Sequence, residues 1–208
     1  MEPTTAIFFI AILILSIVIH EVAHGYAADM LGDPTAKLAG RLTLNPIPHI
    51  DPIGSVLLPI VLVVSNAGLL FGWAKPVPYN PYNLRKGKWG PMIVAIAGPL
   101  SNIFVALVFG ILIRFGPEIG LNDSFYFIFG MIVFVNILLA IFNMIPIPPL
   151  DGSKVLFSIL PYKYQHIQQT LEQYGFMILL FFIFLGGWRI ISPIINFLFQ
   201  VITGINWY

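Results

Sequence analysis

Long uncharged runs decide the fold class of this chain before any motif is read. Residues 91–115 carry a single charge, Arg114, and residues 124–144 carry none. Each is long enough to cross a bilayer, which takes about 20 residues. Residues 6–19 are equally apolar and their helical pattern continues to Leu31; 174–188 and 190–203 form a last pair joined at Gly186-Gly187-Trp188-Arg189. A further run, 53–70, is flanked by Asp51, Pro52 and Gly54 and interrupted by Pro59. Of the 208 residues only 9% are charged and 58% are hydrophobic, and mean hydropathy is +0.91. A soluble domain carries about 25% charged residues. Lipid must therefore be the solvent of this surface.

Three intervening segments are not simple helices. Arg41-Leu42-Thr43-Leu44, within 36–48, alternates as a short strand does. Residues 71–82 contain three prolines and read as extended or edge-strand-like. Residues 145–152 (IPIPPLDG) cannot be helical. Irregular backbone at membrane depth is tolerated only where protein buries it or water reaches it. The expected architecture is an all-α polytopic membrane protein with about five to six transmembrane helices, a re-entrant segment at 53–70 and short membrane-associated β-strands. It is expected as one integral-membrane domain over 1–208, with a catalytic core over about 5–160 and a C-terminal helical pair over 174–203.

Charge orients this arrangement. Lys75, Arg85, Lys86 and Lys88 share one loop, which the positive-inside rule places in the cytoplasm. If 53–70 dips in and returns, Lys37, Arg41, Lys154 and Lys163 join them there, and only Arg114 and Arg189 fall near the outside. The N-terminus lacks a basic leader and is not expected to be a removable signal. No basic patch suggests nucleic acid as a partner. There is no cysteine, so any metal must be held by His, Asp or Glu.

His20-Glu21-Val22-Ala23-His24 closes the first apolar run. On a helix, positions i and i+4 share a face, so two imidazoles can grip one ion. The glutamate beside the first of them can take a proton from a metal-bound water. Two structural histidines are the bland alternative, but it leaves Glu21 without a partner at a depth where ionisable groups are costly. Catalytic zinc usually has three protein ligands. Asp151, after a helix and a proline-rich break, can turn back to supply the third; it can equally cap the helix that follows. With two crossings between them His24 and Asp151 fall on one face of the membrane, the arrangement that the charges also require.

HExxH together with Asn143-Met144-Ile145-Pro146-Ile147-Pro148-Pro149-Leu150-Asp151-Gly152 resembles the site-2 protease family of intramembrane zinc metalloproteases, which pairs HExxH with an Asn-x-x-Pro-x-x-x-Leu-Asp-Gly motif. Gly98-Pro99-Leu100-Ser101-Asn102 looks like the family's core-helix segment, and RLTLNPIPHIDPIG and GWAKPVPYNP look like its small prokaryotic branch. No PDZ-like or CBS-like domain is seen, which points to a minimal core form. The resemblance covers about 15–160. It implies one Zn2+ per chain held by His20, His24 and Asp151, with the zinc-bound water as nucleophile and Glu21 as general base. It also implies transmembrane proteins as substrates and a multi-pass place in a prokaryotic cell membrane. It leaves the oligomeric state open.

Asn143 and Asn102 are the further catalytic candidates. Asn143 can donate to a tetrahedral oxyanion or close its helix. Asn102 has the same choice against simple packing. His49 and Asp51 are supporting groups behind the metal, the lining of a water path, or an interfacial turn with a local hydrogen bond. His166 reads as a surface residue, and Trp73, Trp89, Trp188, Trp207, Tyr79 and Tyr82 as an interface belt. The segments near 38–44 and 71–79 are expected to receive an unwound substrate by strand addition. Two rival classes are a metal transporter, which needs ligands along a path, and a silent scaffold.

Overall fold

The computed structural model describes residues 3–57, 61, 64 and 73–206. Seven α-helices run through them: α1 (Pro3–Met30), α2 (Thr35–Leu38), α3 (Trp89–Arg114), α4 (Asp123–Asn143), α5 (Asp151–Ile159), α6 (Gln165–Phe184) and α7 (Trp188–Thr203). Four of them, α1, α3, α4 and α6, are long and apolar enough to cross a membrane. Their outward side chains stay apolar: Leu15, Phe104 and Phe181 are more than half exposed. Such a surface is stable only against lipid.

The expected five to six spans reduce to four among the described residues. The 190–203 run is a helix of 16 residues, Trp188–Thr203. At 1.5 Å per residue it is about 24 Å long, short of a hydrocarbon core of about 30 Å. It presses Ile191, Ile195 and Phe199 onto Ala106 and Ile113 of α3 and Val133 and Ile137 of α4. These residues recur at intervals of four, one stripe of the helix. The penultimate helix begins at Gln165, earlier than its apolar run.

The expected β-strands are not present among the described residues. Residues 41–44 and 73–80 run without a ladder. Pro76 and Pro78 remove two of the donors that a ladder needs. The donors that remain go elsewhere. Arg41 Nη2 donates to the Lys75 carbonyl at 2.8 Å, and Lys75 N–H donates to the His49 carbonyl at 2.9 Å. The course of the expected re-entrant segment 53–70 lies largely outside the described residues, as does Trp207. Its two ends nevertheless meet: Trp73 N–H donates to the Gly54 carbonyl at 3.2 Å, and Ser55 Oγ to the Trp73 carbonyl at 2.8 Å. The chain thus returns to the end of α1 before entering α3.

Asp33, which no motif marks out, ties that return to α1. It is fully buried and accepts from Asn80 N–H at 2.6 Å, Asn83 Nδ2 at 2.9 Å and the Thr35 backbone and hydroxyl. Burial pushes its carboxyl up, but the Thr35, Asn83 and Asn80 donors outweigh this and hold it below the ordinary value of 3.8. A carboxylate with a depressed folded pKa contributes stability that is present above the unfolded pKa. That contribution is lost as pH falls through the folded value. Asp33→Ala, which strands several donors, is expected to cost about 2–4 kcal/mol at neutral pH. The deficit should shrink below pH 3.8. Thermal melts of both chains in detergent across that range check it.

Candidate metal centre

Two helix stripes face one another across the interior. On α1 the stripe is Ser16, His20 and His24; on α3 it is Val94, Gly98 and Asn102. Each is spaced by four, so its members lie one above another. His24 Nδ1–H donates to the Val94 carbonyl at 2.7 Å, and His20 Nδ1–H donates to Asn102 Oδ1 at 2.6 Å. Gly98 lies flush between them: a Cβ there would sit 2.5 Å from the His24 ring and 2.7 Å from His20 Cε1. Only a residue without a side chain lets α3 approach the two imidazoles this closely.

The hydrogen-bond network fixes which nitrogen carries each proton. Asn102 Nδ2 donates to Asn136 Oδ1 at 2.8 Å and to the Ser16 carbonyl at 3.3 Å. Asn136 Nδ2 in turn donates to the Ile132 carbonyl and to Ser16 Oγ. Backbone carbonyls accept at both ends, so neither amide can be flipped. Asn102 Oδ1 must then accept, and His20 must donate from Nδ1. In the neutral rings the Nε2 atoms of both histidines are left as acceptors.

Asp151 completes the cluster. The proline-rich 145–150 segment ends α4, and Leu150 takes the N-cap position of α5. Asp151 therefore does not cap this helix; it is the first helical residue, where the helix dipole favours an anion. Its Oδ2 lies 3.1 Å from His20 Nε2 and 3.2 Å from His24 Nε2, which are 3.0 Å from each other. Gly152 permits the turn, because a Cβ there would meet the Met144 and Ile145 carbonyls.

With the two histidines neutral, three acceptor atoms converge with no hydrogen between them, an arrangement that calls for a cation. Zinc bound tetrahedrally at 2.0–2.1 Å sets its ligand atoms about 3.3 Å apart. The observed triangle and its donor set fit that ion. His20, His24 and Asp151 are the one grouping among the described residues that can hold a metal in this way.

Residues 114–186 match peptidase family M50. The Bacillus subtilis protein YwhC, provisionally named a zinc metalloprotease, is 36% identical over 91% of this chain and 86% of its own length. The chain belongs to the site-2 protease family, peptidase family M50. As an M50 member it is a membrane metalloprotease, a hydrolase of peptide bonds. Rip2 of Mycolicibacterium smegmatis, also provisionally named a zinc metalloprotease, is 30% identical over 83% of this chain and 64% of its own length. The zinc metalloprotease MJ0392 of Methanocaldococcus jannaschii is 28% identical over 79% of this chain and 38% of its own length, so this M50 chain spans well under half of it. No solved structure matches the chain.

The remaining expected site residues are placed as follows. Glu21 is half-buried and accepts from Val77 N–H at 2.8 Å. Asn102 is fully buried, with its amide spent on His20, Asn136 and Ser16. Asn143 closes α4 and donates to the Leu139 carbonyl of its own helix at 3.0 Å. His49 is buried and donates from Nε2 to the Thr43 carbonyl, while Asp51 accepts from Ile53 and Gly54 N–H in a local turn. Both belong to the connection between α2 and α3, with His49 ending a short 3-10 helix (Ile47–His49). His166 is exposed on α6.

Ser16 and Asn136 were missed as site residues. Ser16 stands one turn before His20, and Asn136 is a lone polar residue in the middle of an apolar helix; both signals were present. A cavity of about 350 Å3 opens between Tyr79, Lys88, Lys154, Phe157 and Tyr164. Burial, and secondarily the Asp151 charge, push the Tyr79 hydroxyl up, so it keeps its proton.

Removing the Asn102 contact leaves His20 Nδ1–H buried and unpaired and its ring free to turn. Asn102→Leu is expected to weaken zinc binding by about 10–100-fold. Competition against a chelating dye measures it.

Proposed function

We propose that this chain hydrolyses peptide bonds in or near transmembrane segments of membrane proteins, using His20, His24 and Asp151 as zinc ligands and Glu21 as general base. The observation that carries this reading is the meeting of His20 Nε2, His24 Nε2 and Asp151 Oδ2 at 3.0–3.2 Å from one another, with both histidines on the helix that also carries Glu21. They stand about 9–15 Å of helix inside the end of α1, at 1.5 Å per residue. A site at that depth takes substrates that share the membrane.

Zinc, when bound, would polarise the scissile carbonyl and make water a nucleophile at neutral pH. Glu21 takes a proton from the attacking water as its oxygen bonds to the carbonyl carbon. It then delivers that proton to the amine nitrogen as the C–N bond breaks. Asn102 acts through His20: it holds the ring and its tautomer rather than touching substrate. Asn143 is the candidate donor to the oxyanion, with one amide hydrogen committed to Leu139. The domain is taken as 1–208, in a prokaryotic cell membrane like that of its bacterial relatives.

The test is cleavage of a panel of transmembrane-helix reporters by the purified protein in detergent, before and after chelation and zinc return. Cleavage that disappears with the metal and returns with it is the expected result. Cleavage indifferent to chelation would end the zinc reading. Binding of one zinc per chain with no reporter cut would direct attention to metal transport.

A further inference from the structure

We propose that the backbone N–H of Val77 holds the Glu21 carboxylate in its working position, which makes Val77 a positioning residue of the reaction. The proposal rests on Glu21 being the base. Within Pro76-Val77-Pro78 only Val77 has an amide hydrogen, and it donates to Glu21 Oε2 at 2.8 Å.

The amide is fixed by contacts that do not involve Glu21. On one side Lys75 is held at both ends of its backbone, with its N–H on the His49 carbonyl and its own carbonyl accepting from Arg41 Nη2. On the other side Asn80 N–H is bound by buried Asp33. Between these anchors the Val77 side chain is buried against Gly25, where a Cβ would come within 3.0 Å of it. Glu21 and Gly25 are one turn apart on α1, so a single face of that helix receives both the side chain and the amide of Val77.

A carboxylate on a flexible stem, beside a metal site, would otherwise sample several rotamers. A donor anchored from both sides selects one of them. This also gives the proline-flanked segment a role other than strand addition, because its central donor is already committed.

The test compares the full-length chain purified in detergent as wild type, as Val77→Pro, as Val77→Ala and with Val77 replaced by its α-hydroxy acid, which exchanges the N–H for an oxygen. Rates on one transmembrane-helix reporter are measured below and above saturation, with zinc per chain measured on each protein. General bases contribute about 10²–10⁴-fold. Misplacing this one is expected to lower kcat by about 10–100-fold in the proline and ester versions. KM should stay within about 3-fold, because a group that acts only in the transition state leaves binding alone. Val77→Ala keeps the N–H and is expected to recover most of that loss.

An ester version with wild-type kcat would overturn the proposal. So would one with raised kcat, which would mark the contact as inhibitory. If Val77→Pro loses zinc or fails to fold, the ester version decides alone. Glu21→Gln, run in parallel, separates the two readings. If it retains wild-type kcat, the base assignment has failed and this proposal with it. If it loses turnover while the ester version does not, only the positioning role has failed.

Discussion

Glu21→Gln is expected to keep zinc and fold while losing turnover by about 10²–10⁴-fold. The substitution is close to isosteric. A glutamine carbonyl can still accept the Val77 N–H that the structure places 2.8 Å from Glu21 Oε2, so the side chain should keep its place. It removes the capacity to take a proton from water and return it to the leaving amine. The candidate metal triangle consists of His20, His24 and Asp151, and Glu21 contributes no atom to it. Metal content and activity should therefore separate: zinc per chain unchanged, kcat lost. Reporter cleavage and elemental analysis of the same preparation check both. Wild-type cleavage by this variant would exclude Glu21 as the base, and loss of zinc would show that it supports the metal instead.

Gly98→Ala is expected to lower zinc affinity by about 100-fold or more and to abolish cleavage, although it adds a single methyl group. That carbon would lie 2.5 Å from His24 Nε2 and 2.7 Å from His20 Cε1, where ordinary contact needs at least 3.4 Å. Neither ring can withdraw, because each is tethered through Nδ1, one to the Val94 carbonyl and one to Asn102. Both tethers sit on α3 itself, so moving that helix away breaks them. Loss of supporting contacts of this kind alone costs about 10–100-fold in metal affinity; displacement of two ligands exceeds it. Helix propensity predicts the opposite sign, since alanine is favoured over glycine inside a helix by about 1 kcal/mol. A Gly98→Ala chain that loses zinc and melts at a lower temperature despite the better helix former would match the steric account. One that keeps its zinc would refute it.

Much of the site was legible in the sequence because its signals are local. The four-residue spacing of His20 and His24 is a property of any helix, and the apolar run before them names the solvent. Asp151 was legible as a candidate, and the resemblance implied it as the third ligand. Its rival role as a cap was settled only when Leu150 took that position. The strand expectation failed for a related reason. Alternation over Arg41–Leu44 is too short to distinguish a strand from an irregular segment held by side chains. The count of about five to six spans is not reached among the described residues, where the helix of 16 residues at 188–203 packs on α3 and α4 and is shorter than a crossing usually needs.

The sequence by itself determined the membrane setting, the HExxH face and the donor types available to a metal. Only the tertiary structure decided what surrounds them. His20 meets Asn102 across 82 residues, His24 meets Val94 across 70, and Glu21 meets Val77 across 56. Periodicity states which face of a helix is occupied but not which distant backbone will be packed against it. A backbone carbonyl or amide hydrogen carries no sequence signal of its own, and an absent side chain, though legible as a glycine, does not say what packs against it. Those three are the means by which Val94, Val77 and Gly98 shape this site.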